Sequence, residues 1–121
     1  MGAEPGSPLA AVEAHLAAFN ARDAEAVAAT FTEDATFVAG EQVVIGRSAL
    51  RAMFADAFAA PLRAHLALRH AVVDGAAAAC ELVETLESPS GRHELDVAAF
   101  YAARDGRLAR VRVYRDLSDP A

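Results

Sequence analysis

The chain has 121 residues, a formal net charge of −6 and eleven basic residues, every one of them arginine. That length suits one hydrophobic core. An acidic chain without lysine is a poor match for a phosphate backbone, which argues against nucleic acid as a partner. A single cysteine, Cys80, leaves no internal disulfide framework and no cysteine-based zinc site.

No apolar run reaches the ~18 residues that a membrane helix needs. Met1 to Pro8 carries neither the basic nor the apolar stretch of a secretory leader. The expectation is a cytoplasmic protein with no membrane association, forming a single domain over 1–121 with its core at about 9–117.

Helices come first. Ser7-Pro8 pairs an N-capping hydroxyl with a proline at the first helical position. Leu9, Val12, Leu16 and Phe19 then fall on one helix face. The pattern breaks at Asn20 to Arg22, and Asp23 can cap a second, shorter helix carrying Val27 and Phe31. Thr36–Val38 and Val43–Ile45 are short β-like runs on either side of Gly40. Ser48 can cap a third helix with Leu50, Met53, Phe54 and Phe58 on its apolar stripe, and Pro61 ends it.

The period then changes. Four extended runs at about 63–73, 77–87, 92–104 and 107–117 are separated by Asp74-Gly75, Pro89-Ser90-Gly91 and Asp105-Gly106. Asp-Gly between such runs is a strong hairpin signal, because a tight type I′ turn needs positive φ at both central residues. A long antiparallel meander needs one face covered, and three helices are available to cover it. The fold class is α+β: three helices packed on a curved, mostly antiparallel sheet.

Several strings in this order resemble a known superfamily. They are Phe19-Asn20-Ala21-Arg22-Asp23-Ala24-Glu25-Ala26-Val27, then Phe31-Thr32-Glu33-Asp34-Ala35-Thr36-Phe37, then Ile45-Gly46-Arg47-Ser48-Ala49-Leu50. Arg104-Asp105-Gly106-Arg107-Leu108 and Val113-Tyr114-Arg115-Asp116 follow. Together they resemble the NTF2-like superfamily in its SnoaL-like and ketosteroid-isomerase-like branch. The resemblance implies a cystatin-like cone, in which a bent sheet wraps the first helix and leaves a pocket for a small apolar molecule. It also implies a homodimer formed through the outer face of the sheet. Isomerases, cyclases, epoxide hydrolases and non-catalytic binding modules all use this fold, so the fold alone does not fix a reaction.

Matching the relatives' catalytic residues one by one gives mostly negatives. The ketosteroid-isomerase base falls on Ala39, its oxyanion tyrosine on His15 and its proton-donating aspartate on Ala98. In limonene-type epoxide hydrolases the last aspartate of the Asp-Arg-Asp set falls on Val113 and the arginine most nearly on Leu82. Glu84 stands where the first aspartate sits. Neither mechanism is expected in its usual form.

Strand alternation, oriented by the resemblance, supplies the remaining candidates. Ala109, Val111, Val113 and Arg115 would face inward on the last strand. Asp96, Ala98, Phe100 and Ala102 would do so on the strand before, leaving Leu95, Val97, Ala99 and Tyr101 outside. Cys80, Leu82, Glu84 and Leu86 would face inward on the second long strand. A carboxylate between two leucines conflicts with its neighbours, and removal from water is one way general acids and bases are tuned.

The expected catalytic set is therefore His15, Glu84, Asp96 and Arg115, with Arg115 stabilising an anion. The expected substrate-binding set is Phe19, Phe54, Phe58, His70, Phe100, Val111 and Val113. His15 sits on the apolar flank of the first helix, and His70 shares alternation with Leu66, Leu68 and Val72. No histidine pair has metal-ligand spacing, and no glycine-rich phosphate loop or nucleophile elbow occurs. The expectation is a site without metal or cofactor. The inward alanines Ala98, Ala102 and Ala109 would keep the cavity open.

Overall fold

The computed structural model describes residues 6–116. Its helices are α1 (Pro8–Asn20), α2 (Ala24–Ala29) and α3 (Arg47–Ala59). Its strands are β1 (Phe31–Ala39), β2 (Gln42–Ile45), β3 (Arg63–Asp74), β4 (Ala77–Ser88), β5 (Gly91–Arg104) and β6 (Arg107–Arg115). The expected run to 117 ends partly outside the described residues. One six-stranded sheet has the order β2-β1-β6-β5-β4-β3, and β1 runs parallel to β6 while every other neighbouring pair is antiparallel.

Local chemistry sets these elements. The Ser7 hydroxyl accepts from Ala10 N–H and the Asp23 carboxylate accepts from Ala26 N–H, each capping a helix start. Contrary to expectation, Ser48 does not cap α3; the N-cap is Gly46, with no side-chain bond. Asp105 and Gly106 both have positive φ, 54° and 78°, which gives β5–β6 the tight turn that Asp-Gly predicts.

α1 ends in a Schellman motif. Asp23 N–H donates to Ala18 C=O and Arg22 N–H to Phe19 C=O, with Arg22 in the left-handed region at φ 57°. The adjoining Asn20 ties this end to the sheet. Its Nδ2 donates to Leu66 C=O at 2.8 Å and its Oδ1 accepts from Leu66 N–H at 2.9 Å. β3 is a sheet edge, so Asn20 supplies bonds that a neighbouring strand would otherwise make.

The core lies between the helices and the inner sheet face. Val12, Val27, Phe31, Leu50, Leu82, Leu108 and Val111 are essentially inaccessible there. Irregular registers occur in β3 at Leu68/His70, in β5–β6 at Ala102/Ala103 and in β1–β6 between Phe31 and Thr36. Such bulges bend a strand and increase its twist, which curves this sheet around the helices.

Two of these details overturn expected orientations. Arg69 is the extra residue of the β3 bulge, so Leu68 pairs with Leu82 but His70 pairs with Glu81. Inward alternation ends at Leu68, and His70 is exposed on the outer face. On β5 the whole alternation is reversed from the expectation. Val97, Ala99 and Tyr101 are buried inside, and Asp96, Ala98 and Phe100 are exposed outside. The hairpin explains why: Ser88 pairs with Gly91 around a two-residue Pro89-Ser90 turn, which places Glu84 opposite Leu95. Opposed residues share a face, so an inward Glu84 requires an inward Leu95.

Candidate active-site cleft

A cleft of about 500 Å³ opens between α3, the end of α1 and the strand ends of the inner face. Phe19, Phe37, Phe54, Phe58, Met53, Leu62, Leu86 and Leu95 give it an apolar wall. Its polar lining is Arg22, Gln42, Glu84 and Arg115. Volume and composition fall within the usual range for small-molecule sites, roughly 300–1,000 Å³ and mostly apolar with a few polar groups.

The aromatic wall is built from helix spacing. Phe54 and Phe58 lie one turn apart on α3, and Phe19 comes from the last turn of α1. The Phe19 ring meets Phe54 and Phe58 edge-on, with centroids 6.1 and 5.5 Å apart. These three expected pocket residues do line the cleft. Val111 is instead buried in the core, and Val113 lines a separate depression with Gly40 and Tyr114.

Glu84 is the deepest charge of the cleft, with only 4% of its surface accessible. Arg115 Nε donates to Glu84 Oε1 at 2.8 Å, and its Nη2 reaches Oε2 at 3.5 Å. Oε2 is therefore the more loosely held oxygen. Arg115 keeps 39% of its side chain exposed, so the pair grades from a buried carboxylate to a solvent-facing guanidinium.

Asp96 does not join this pair. It lies on the outer face, where Arg69 Nη1 donates to its Oδ1 at 3.3 Å and also lies 3.8 Å from Glu81. Phe100 is also outside, edge-on to Tyr114. His15 is buried but does not line the cleft; the rings of Phe31, Phe54 and Tyr101 surround it. The Thr30 hydroxyl donates to Val27 C=O at 2.6 Å, so it must accept from His15 Nδ1–H at 3.2 Å. That network puts a proton on Nδ1, and burial, which lowers the pKa from 6.5 to about 4, keeps the ring neutral at neutral pH.

Burial also pushes the Cys80 thiol up to about 11 and raises the Tyr101 phenol. Cys80 is thus a protonated core thiol at neutral pH and a poor nucleophile. Among the described residues no cluster of three or more His, Cys, Asp or Glu side chains is placed to hold a metal. The small residues that shape the cleft are Ala39, Ala57, Ala60 and Ala64, not the expected Ala98, Ala102 and Ala109.

Arg22 is the residue that strand alternation could not find. A left-handed position after a helix favours glycine, and a side chain there costs about 1–2 kcal/mol. Here the guanidinium donates to the C=O of Phe58, an orphan carbonyl near the end of α3, and lies 5.4 Å from the Phe58 ring centroid. The available signal is an arginine, where glycine would fit, in the break after the first helix.

The fold and this cleft can be set beside known proteins. Residues 12–111 match the family model of the SnoaL-like domain. The chain belongs to that family. Solved structures similar to this SnoaL-like chain include an epoxide hydrolase of the LEH-like type from M. tuberculosis, 23% identical with a TM-score of 0.82 over 91% of this chain and 83% of that one. The epoxide hydrolase/cyclase-like enzyme SalBIII, which has a role in pyran ring formation in salinomycin, is 24% identical with a TM-score of 0.77 over 90% of each chain. A candidate polyketide cyclase from Pseudomonas putida KT2440 is 26% identical with a TM-score of 0.78 over 92% of each chain. No curated protein matches the sequence. The SnoaL-like chain thus has the NTF2-like, ketosteroid-isomerase-like fold, and among its described residues no helix is long and apolar enough to cross a membrane.

Proposed function

We propose that this SnoaL-like protein is a cofactor-independent acid–base catalyst acting on a small apolar molecule of polyketide- or terpenoid-like character. The observation that carries this reading is Glu84: a buried carboxylate, held by Arg115, in the wall of an otherwise apolar cleft. Glu84 Oε2 would take a proton from a carbon next to a substrate carbonyl. The electron pair moves onto the carbonyl oxygen, and Arg115 stabilises the resulting enolate. Returning the proton at a different carbon completes an isomerisation. Attack of the enolate carbon on a second carbonyl, with a proton delivered to its oxygen, completes an aldol cyclisation. Activation of water by the same carboxylate would give a hydrolase or hydratase.

The test uses 2-tetralone, an apolar ketone with exchangeable α-hydrogens, followed by NMR in heavy water. The protein should accelerate deuterium incorporation, and Glu84→Gln should lower that rate at least about a hundredfold without loss of the folded spectrum. Equal exchange by both proteins would refute the role of Glu84.

One observation favours a second reading, a non-catalytic binding module. The resemblance puts the ketosteroid-isomerase base at Ala39 and the last aspartate of limonene-type hydrolases at Val113, and neither side chain can take a proton. Binding of the ketone with no accelerated exchange would decide for that reading.

We also infer a homodimer formed through the outer sheet face. Val43, Ile45, Val72, Phe100 and Tyr114 are large apolar residues, each about half exposed or more, and all point to that side. A monomer by light scattering at micromolar concentration would overturn it.

A further inference from the structure

The charge inside the cleft is opposite in sign to that of the protein. Its ionised lining residues are Arg22, Arg115 and Glu84, so two guanidiniums stand against one carboxylate. The chain as a whole carries −6. Arg115 is directed to Glu84, while Arg22 meets a backbone carbonyl and an aromatic ring. A guanidinium has five N–H donors, and the carbonyl of Phe58 needs at most two.

The backbone adds an independent argument. Glycine at position 22 would complete the Schellman motif without strain, yet the chain places there the side chain that extends along the cleft wall.

Building on the cleft being a ligand site, we propose that its ligand carries one acidic oxygen head group, a carboxylate or acidic enol, on an apolar body. Arg22 is the residue that selects for the charge. The apolar body packs on Phe19, Phe54 and Phe58, and the head group lies toward the arginines. A neutral analogue of the same shape leaves Arg22 without an anion and binds less well.

Two fluorescent probes differ in this one feature. 8-Anilinonaphthalene-1-sulfonate is an anion; N-phenyl-1-naphthylamine is the same ring system without the sulfonate. Titrated against the folded protein at neutral pH, the anion should bind at least about tenfold more tightly, the worth of one hydrogen bond to a charged group. Arg22→Gln keeps a donor for the Phe58 carbonyl but removes the charge. It should abolish the preference, with the anion losing at least about tenfold more affinity than the neutral probe, and Arg22→Lys should restore much of the preference. Ala57→Phe, which fills the cleft, should weaken both probes.

Tight binding of the neutral probe with no preference for the anion overturns the charge selection alone and leaves the cleft as a ligand site. A preference that survives Arg22→Gln overturns the role of Arg22. Failure of both probes to bind, or binding that survives Ala57→Phe, overturns the cleft itself and the selection with it.

Discussion

Arg115 and Glu84 meet across an intervening strand. Arg115 is on β6 and Glu84 on β4; β5 runs between them, with Val97 opposite Arg115 and Leu95 opposite Glu84. Two strand spacings are about 9–10 Å, so only a side chain of arginine's reach closes the gap. The ion pair therefore rests on the apolar residues of β5, which shield Glu84 from water. Removing one partner should cost far more than removing both. Arg115→Ala leaves a buried carboxylate uncompensated and should destabilise by about 3 kcal/mol, the low end for buried pairs because the arginine is partly exposed. The double variant Glu84→Leu with Arg115→Leu should be near neutral. Urea unfolding of the single and double variants measures this directly, and additive losses would show that the pair is not coupled.

His15 should make stability depend on pH. Its folded pKa is about 4 against 6.5 for an unperturbed histidine, because the fold holds it neutral among aromatic rings. Above pH 6.5 both folded and unfolded chains carry it unprotonated, and the full stability is present. Below 6.5 the unfolded chain takes up a proton that the folded chain refuses. Stability then falls until about pH 4, by about 3 kcal/mol in all. His15→Gln keeps a donor for Thr30 and should flatten that part of the profile. An unchanged slope between pH 6.5 and 4 in the variant would assign the acid loss to other groups.

Asn20 should matter more than an ordinary helix-terminal residue. Asn20→Ala removes two bonds to the Leu66 backbone on an edge strand and should cost about 1–3 kcal/mol. Amide hydrogen exchange offers the sharper readout, with protection lost at Leu66 first. Asn20→Asp keeps the acceptor for Leu66 N–H but loses the donor to its carbonyl, and should fall between.

The outer face gives a prediction that leaves the cleft untouched. Phe100 stacks edge-on against Tyr114, and Arg112 lies 5.4 Å from the Tyr114 ring centroid. Phe100→Glu places a charge in this patch and should shift the sedimentation profile from dimer to monomer at micromolar concentration. Fold and 2-tetralone exchange should survive the change.

How much of this is legible in the sequence depends on what each residue's placement requires. The order of the elements and the Asp105-Gly106 turn follow from periodicity and turn chemistry, which are local, but Phe31, expected on the second helix, begins β1 instead. Alternation finds Glu84 and Arg115 because no bulge separates them from the reference residues on their strands. His70 is lost to one extra residue at Arg69, which leaves no trace in composition. Asp96 and Phe100 are lost because both faces of β5 are rich in apolar residues, so alternation has no preferred side. An inner set with an aspartate in it is the weaker choice, and a two-residue Pro89-Ser90 turn corrects it. Arg22 is a loop residue, placed by a backbone motif, and alternation says nothing about loops.

The position of β6 in the sheet bears on how the chain reaches this state. β6 follows every other element in sequence, yet it is the strand that joins β1–β2 to β3–β4–β5. Any sheet pairing formed before Arg107–Arg115 is synthesised and released would leave open edges at β1 and β5, both able to pair with other chains. Arg115 also comes with that strand, so Glu84 lacks its counter-charge for the same interval. Sheet closure and neutralisation of the buried carboxylate both require β6, so a chaperone that holds the unfinished chain would protect both.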